Sequence, residues 1–300
     1  MKLNYFGATD VGRRRKNNED YFGIFEPHDL FVVADGMGGH AAGEIASSTA
    51  VQAVAEFVAL TAKETDITWP WGVDPNLSLV ANRLKTAVRF GNQKVLDLSL
   101  TQADYEGMAT TIVGVLFEEA TAHIAHVGDS RLYLINGTGI TQVTTDHSWV
   151  LEQVALGVLT HEQARSHPLR NVVTRAIGAS PDLNVDVTAH EMAVGDVLLL
   201  CSDGLSGLVH PEVIREVLAT TPDLRDCCTK LIEMANNGGG HDNITCICAE
   251  FGGEGLLPAE NAPPATYQQY PLPIDEHAAE SGEPRDVHMK SGAPKPGSDV

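Results

Sequence analysis

Five aspartates stand where they could do chemistry together: Asp20, Asp35, Asp129, Asp203 and Asp242. Each lies close to Gly, Ser or Asn, in Asn18-Glu19-Asp20, Asp35-Gly36, Gly128-Asp129-Ser130, Ser202-Asp203-Gly204 and Asp242-Asn243. Such places read as ends of strands or helices, where a rigid element behind the residue can aim its carboxylate at a common point. Several like charges cannot be gathered without cations among them. An all-oxygen set selects hard ions, Mg2+ or Mn2+, over zinc or copper. Two such ions sharing an aspartate can turn water into hydroxide and hold phosphate oxygens in line for attack. Arg15 presents a planar fork that fits those oxygens, and Glu19 adds a carboxylate next to Asp20. The implied reaction is phosphoester hydrolysis by metal-activated water. No single Asp-Gly carries this reading, since an isolated one is an ordinary turn; the joint pattern does.

Other mechanisms fail on the same residues. A cysteine phosphatase needs Arg six positions after its Cys, and here those positions hold Gly207, Glu233, Met234, Gly252 and Glu254. A nucleotide phosphate loop needs Lys where Glu44 follows Gly43. Zinc held by His241, Cys246 and Cys248 is a weaker reading than a buried core, because alternation places both cysteines on one strand face. His40, just past the glycines, could act as an acid or be a turn histidine.

Stepping outward, the elements that must position these groups can be read in order. Tyr5 to Val11 is a strand, followed by the basic run Arg13-Arg14-Arg15-Lys16. In so acidic a chain, one such cluster is weak evidence for a nucleic-acid or localisation patch. Leu30 to Ala34 is a short apolar run ending in Asp35-Gly36, a buried strand delivering its carboxylate to a turn. Ala42 to Leu60 is helical, and the spacing of Val80, Leu84, Ala87, Val88, Gly91 and Val95 gives a second helix over Leu77 to Leu98. Thr61 to Asn76 between them is a loop whose tryptophans, Trp69 and Trp71, are expected to pack.

From Ala109 the period becomes two, giving consecutive strands over Thr110–Phe117, Ala122–Val127, Arg131–Ile135 and Ile140–Val143. The short links predict antiparallel hairpins without crossover helices. Helices are expected near Ser148–Leu156, His161–Ser166, Glu212–Leu218 and Leu224–Asn236, and strands over Val185–Ala189, Asp196–Cys201 and Ile244–Phe251. The run ending in Cys201-Ser202-Asp203-Gly204 repeats the strand-then-Asp-Gly arrangement of Leu30–Gly36.

Composition bounds the class. Forty acidic and twenty basic residues give a formal charge of −20, which argues against nucleic-acid and acidic-lipid partners. No stretch approaches the ~18 apolar residues of a membrane span, and the N-terminus lacks a secretory core. The five cysteines are odd in number and scattered, so reduced thiols and a cytoplasmic location are expected. After Gly252 the chain turns to Pro, Gly, Ala, Glu and Ser without a hydrophobic period, and 252–300 is expected to be a disordered tail.

Eight stretches in order, RKNNED (15–20), VVADGMGGHAAGE (32–44), ATTIVGVLF (109–117), AHVGDSRLYLI (125–135), TTDHS (144–148), TRAIG (174–178), LLLCSDGL (198–205) and GGHDNIT (239–245), resemble the metal-dependent protein phosphatases of the 2C type, in their compact bacterial form. The resemblance covers about residues 5 to 251. It implies an α+β fold, a β-sandwich of two antiparallel sheets flanked by helices on both sides (four-layer αββα), with the phosphatase domain over 1–251. By position it implies that Asp35 bridges two Mn2+ or Mg2+ ions, that the Gly36 carbonyl ligates one, and that Asp203 and Asp242 complete the pair. Asp20, with Glu19 beside it, would hold metal-bound water, Arg15 would take the phosphate, and Asp129 with Asp203 would bind the third metal of bacterial members. Some members carry a histidine general acid where this chain has Met37; bacterial relatives share the methionine, and the proton donor stays unassigned.

The function implied is a Ser/Thr protein phosphatase acting on phosphorylated proteins and opposing a bacterial-type Ser/Thr kinase, with no membrane span and as a monomer. The alternative is a phosphoprotein-binding pseudophosphatase, which the loss of a core aspartate would favour; none is lost.

Overall fold

The computed structural model describes residues 2–38, 42–63 and 69–264. The chain divides into two units, 1–270 and 271–300, and the second lies wholly outside the described residues.

Apolar residues at period two build two sheets. One is ordered β1 (Lys2–Asp10), β11 (Ile244–Gly252), β10 (Val197–Cys201), β7 (Arg131–Asn136), β8 (Gly139–Gln142). The other is ordered β2 (Asp20–Phe25), β3 (Leu30–Met37), β5 (Ile112–Glu118), β6 (Thr121–Val127), β9 (Asp186–Glu191), with the short β4 (Ala109–Thr110) paired to β3. All of the strand pairs are antiparallel. Alternate side chains of each strand serve two different cores. Phe31, Val33, Val115, Leu132, Leu198, Ile247 and Phe251 fill the space between the sheets.

The opposite faces are covered by helices. Leu30, Val32 and Ala34 turn outward onto α1 (Ala42–Ala62) and α2 (Leu79–Thr101). Leu199, Cys201, Cys246 and Cys248 turn outward onto α6 (Pro211–Thr220) and α7 (Leu224–Asn237). The result is the expected four-layer αββα sandwich. Among the described residues three short α-helices remain: α3 (Trp149–Ala155), α4 (His161–Ser166) and α5 (Asp203–Ser206).

Several expectations are corrected. The strand at Leu30 does not stop at Ala34 but continues to Met37, so Asp35-Gly36 is extended sheet and not a turn. A strand missing from the sequence reading, β2, pairs with it because Phe22 and Ile24 pack between the sheets. The four consecutive strands are not one meander. β5–β6 and β7–β8 are hairpins, but β6 and β7 lie in different sheets, and Gly128-Asp129-Ser130 is the crossing between them.

Contrary to the expectation of no such stretch, α1 has the length and composition of a membrane span, its apolar residues interspersed with Ser, Thr, Gln and Glu; half of that window is buried within the protein. Of the loop tryptophans, Trp69 packs 6.3 Å from Phe57, centroid to centroid. Trp71 is exposed.

The boundary at residue 252 falls short. Leu256 packs against the inter-sheet core and Leu257 bridges to the Met192–Val194 backbone. The expectation of a structureless segment therefore fails for residues up to about 262, because these apolar side chains find an edge to cover; from 265 it lies outside the described residues. His40 and Gly39 also lie outside them.

Candidate active site

β2 and β3 set the first two carboxylates. Asp20 and Asp35 are directly opposed in the antiparallel register, so their side chains share the face between the sheets. The Asp35 backbone is locked: its N–H donates to Thr111 Oγ1 at 3.0 Å, and its carbonyl accepts from Thr111 N–H at 2.8 Å and Thr110 Oγ1 at 2.9 Å. The Asp20 Oδ2 accepts from Ser202 Oγ at 2.7 Å, which ties β2 to the end of β10 in the other sheet. Gly36 is required by close approach. Its N–H donates to the Glu19 carbonyl at 3.1 Å, and a Cβ there would collide with the Gly43 carbonyl and stand 2.6 Å from the Glu19 carbonyl.

The other sheet and its loops bring the remaining three. Asp203 opens α5 directly after β10. Asp129 sits on the crossing between the sheets, where Gly128 holds φ +110 and a Cβ would stand 2.6 Å from Thr111. Asp242 precedes β11, and its Oδ1 accepts from Asn243 N–H at 2.9 Å. Asn243 in turn receives the Glu19 N–H at 2.8 Å through its Oδ1 and donates Nδ2 to the carbonyls of Val11 and Asn17, each at 2.9 Å. The loop before β2 is thereby fastened to the loop before β11.

These aspartates feel one another. Burial, then the charges of Asp20, Asp203, Asp129 and Asp242, holds the Asp35 carboxyl well above the usual range. Asp20 is pushed up to about 7 by burial, with Asp203 and Asp242 adding to the effect. Asp129 rises to about 7 by burial and the charges of Asp203 and Asp146. Burial and then Asp242 raise Asp203, whose side chain is in hydrogen-bond contact with Asp35. Asp20 Oδ1 and Asp203 Oδ1 are buried without a hydrogen-bond partner among the described residues. Buried carboxylate oxygens of that kind cost free energy unless protonated or met by a cation. No set of three or more acidic, histidine or cysteine side chains among the described residues meets the geometry of a formed cation site. The fit to hard divalent cations therefore rests on charge, burial, orphaned oxygens and an all-oxygen donor set.

Arg15 lies at the rim with its guanidinium on this cluster, Nη2 donating to Asp242 Oδ2 at 2.7 Å and Nη1 at 3.9 Å from Glu19. Burial raises the Glu19 carboxyl. All eight residues singled out from the sequence thus fall in one region or on its immediate support.

The supporting layer was largely missed. Ser202, Thr111 and Asn243 hold the site from across the sandwich, and nothing in local sequence announces a partner up to 224 residues away. Arg131 clamps Asp146 through Nε and Nη2, at 2.9 and 2.7 Å, beside Asp129. His147 Nδ1 accepts from Gly128 N–H at 3.0 Å while its Nε2 meets Asp186 at 3.1 Å, bracing the same crossing. The Asp-His-Ser stretch at 146–148 could have flagged both.

Against this geometry the comparisons are specific. The family model for protein phosphatase 2C matches residues 11–245. The serine/threonine phosphatase stp of Listeria monocytogenes serotype 4b is 36% identical over 249 residues, 81% of this chain and 93% of that protein. The serine/threonine protein phosphatase PstP of Mycobacterium tuberculosis is 38% identical over 250 residues, 83% of this chain but only 45% of that longer protein. The crystal structure of the PstP catalytic domain in complex with two manganese ions matches with a TM-score of 0.71 at 35% identity, covering 84% of this chain and 99% of that one.

Fold and site together define a metal-dependent phosphohydrolase. The chain belongs to the protein phosphatase 2C family and is a metal-dependent serine/threonine phosphatase. The pseudophosphatase alternative finds no support.

Proposed function

We propose that Asp35, the Gly36 carbonyl, Asp203 and Asp242 hold two Mn2+ or Mg2+ ions, that Asp129 with Asp203 offers a third position, and that Arg15 binds the phosphate of a phosphoserine or phosphothreonine protein. Bound there, the cations would supply an acidified water and charge neutralisation for phosphate oxygens. Asp20 has a separate task. With Oδ2 fixed by Ser202, its Oδ1, buried without a hydrogen-bond partner among the described residues, would accept a hydrogen bond and orient water. Glu19 supports it from the same turn, its carbonyl fixing Gly36 and Ser47. Arg15 pairs with Asp242 in the structure, so cation and phosphate together would exchange that partner, the carboxylate turning to the ion and the guanidinium to the substrate.

The reading extends to signalling: a monomer working in the cytoplasm on proteins phosphorylated by a Ser/Thr kinase. All five cysteines are free and buried, which suits a reducing compartment. The observation that carries the proposal is the gathering of five mutually interacting aspartates, two of them with orphaned buried oxygens, at one end of the sandwich. Hydrolysis of an aryl phosphate and of a phosphothreonine peptide, each measured with Mn2+ and with excess EDTA, tests it. Turnover that needs the cation is expected; equal rates in chelator would refute the site.

A further inference from the structure

The basic run at 13–16 has a role that phosphate binding by Arg15 does not exhaust. The backbone N–H groups of Arg13 and Arg14 both donate to the Gly240 carbonyl, at 2.8 and 3.2 Å, pinning this turn against the loop that carries Asp242. The turn therefore sits at the mouth of the aspartate cluster, with Arg15 reaching inward to Asp242 at 2.7 Å. Its neighbours do not reach inward. Arg13, Arg14 and Lys16 are exposed, and among the described residues their side chains make no ion pair or hydrogen bond, although the chain carries forty acidic residues against twenty basic ones. Three cations without side-chain partners among the described residues, on the turn whose Arg15 reaches the aspartate cluster, are placed to meet charge that the substrate brings.

We propose that Arg13, Arg14 and Lys16 form a specificity rim selecting phosphoproteins with an anionic flank, a second phosphoryl group or a run of Glu/Asp, close to the phosphoresidue held by Arg15. The inference rests on the phosphatase reading and deepens it. Consecutive Cα atoms lie about 3.8 Å apart, so four residues address charge within roughly two or three residues of the reacting one. A four-residue patch on a chain of net charge −20 is a poor footprint for nucleic acid or an anionic membrane, both of which present extended negative charge. A short acidic flank fits both its size and its isolation.

The test compares three phosphothreonine peptides, one with neutral flanks, one with a second phosphothreonine two positions away, and one with a Glu-rich flank, alongside an aryl phosphate. The wild type should favour the two anionic peptides by about tenfold in kcat/KM at low salt, with the gap closing by about 0.5 M salt. The triple variant Arg13→Ala, Arg14→Ala, Lys16→Ala should lose the preference while its aryl phosphate rate stays within about twofold, since that small substrate has no anionic flank for the rim to meet. A preference for the doubly phosphorylated peptide alone would identify phosphate as the favoured flank and still support the rim.

Equal rates on all three wild-type peptides, a preference that survives in the variant, or a parallel fall in its aryl phosphate rate would each overturn the proposal. So would an oligonucleotide or anionic vesicle held by the wild type and released by the variant with no peptide preference. Equilibrium binding of non-hydrolysable phosphonate versions reads the rim independently of turnover. Loss of all hydrolysis with the binding preference intact would therefore count against the phosphatase reading and not against the rim.

Discussion

Two parts of this protein gather five titratable side chains each, and they behave in opposite ways. Under α6 and α7, Cys201, Cys227, Cys228, Cys246 and Cys248 lie in one apolar core with Leu199, Leu205, Ile214 and Leu231. At the open end of the inter-sheet space stand Asp20, Asp35, Asp129 and Asp203, with Asp242 at its rim. Hydrogen bonds from Cys246 and Cys248 draw the Cys228 thiol down to about 4, while burial raises Cys201 to about 12 and Cys227 to about 11, and Asp20 and Asp129 to about 7. For a thiol this deepens the neutral state it already occupies at neutral pH, so it packs as a small hydrophobe. For a carboxylate it opposes the state that water would favour, and the conflict grows with every aspartate added. Loss of water therefore marks one region as core and the other as a place built for something positively charged.

Substitutions should separate the two regions sharply. The largest effect is expected at the carboxylates. Asp203→Asn and Asp242→Asn should each lower kcat by roughly 10³-fold or more while the protein stays folded, since each removes charge that the cations need. Near-normal turnover in either, with circular dichroism unchanged, would break the assignment of that residue.

Arg15→Ala should cost less and in a different parameter. The guanidinium meets charge present in both ground and transition states, so the loss should appear mainly in KM, as about 10- to 100-fold in kcat/KM, or roughly 1.5–3 kcal/mol. Steady-state kinetics on a phosphopeptide decides it; a fall confined to kcat would contradict phosphate binding.

In the cysteine core, Cys246→Ala should leave kcat and KM unchanged and lower stability by about 1–2 kcal/mol, the cost of a small cavity beside Cys201 and Cys248. Denaturant unfolding and an aryl phosphate assay together check this. A loss of activity without loss of stability would mean that the thiols serve the site after all.

How much of this contrast was legible in the sequence depends on distance along the chain. The aspartates could be found because each lies close to Gly, Ser or Asn, three of them after an apolar run, and the ordered blocks pointed to their family. The cysteine core followed from alternation at 246 and 248. What stayed hidden is long-range. β2 is six residues of mixed character that become a strand only because β3 pairs with it. Asp35-Gly36 looked like a turn because the chemistry of the dipeptide is the same in a strand end. The crossing at Gly128-Asp129-Ser130 looked like a hairpin because nothing local distinguishes a link within a sheet from a link between sheets. Ser202 holding Asp20 is a hydrogen bond across 182 residues, which periodicity cannot carry.

The smallest effect is expected beyond the sandwich. A stop after Pro264 keeps Leu256 on the core and Leu257 on its bridge, and should leave both melting temperature and aryl phosphate rate unchanged. A stop after Gly252 removes those contacts and should lower the melting temperature by a few degrees. Identical melting of both truncations would show that the 253–262 segment adds nothing to the domain.

The central claim, that the buried aspartates are a cation site and not a strained core, is tested most directly by melting temperature against pH from 5.5 to 8, with EDTA and with Mn2+. The folded-state values of Asp20, Asp35, Asp129 and Asp203 are raised above those of an unfolded chain. Their contribution to the metal-free protein is therefore greatest below pH about 4 and is lost as pH climbs through the folded values, which for Asp20 and Asp129 are about 7. Cations compete with those same protons. The increment in melting temperature produced by Mn2+ should be small at pH 5.5 and grow steadily to pH 8. An increment that is absent, or of one size across that range, would contradict the account.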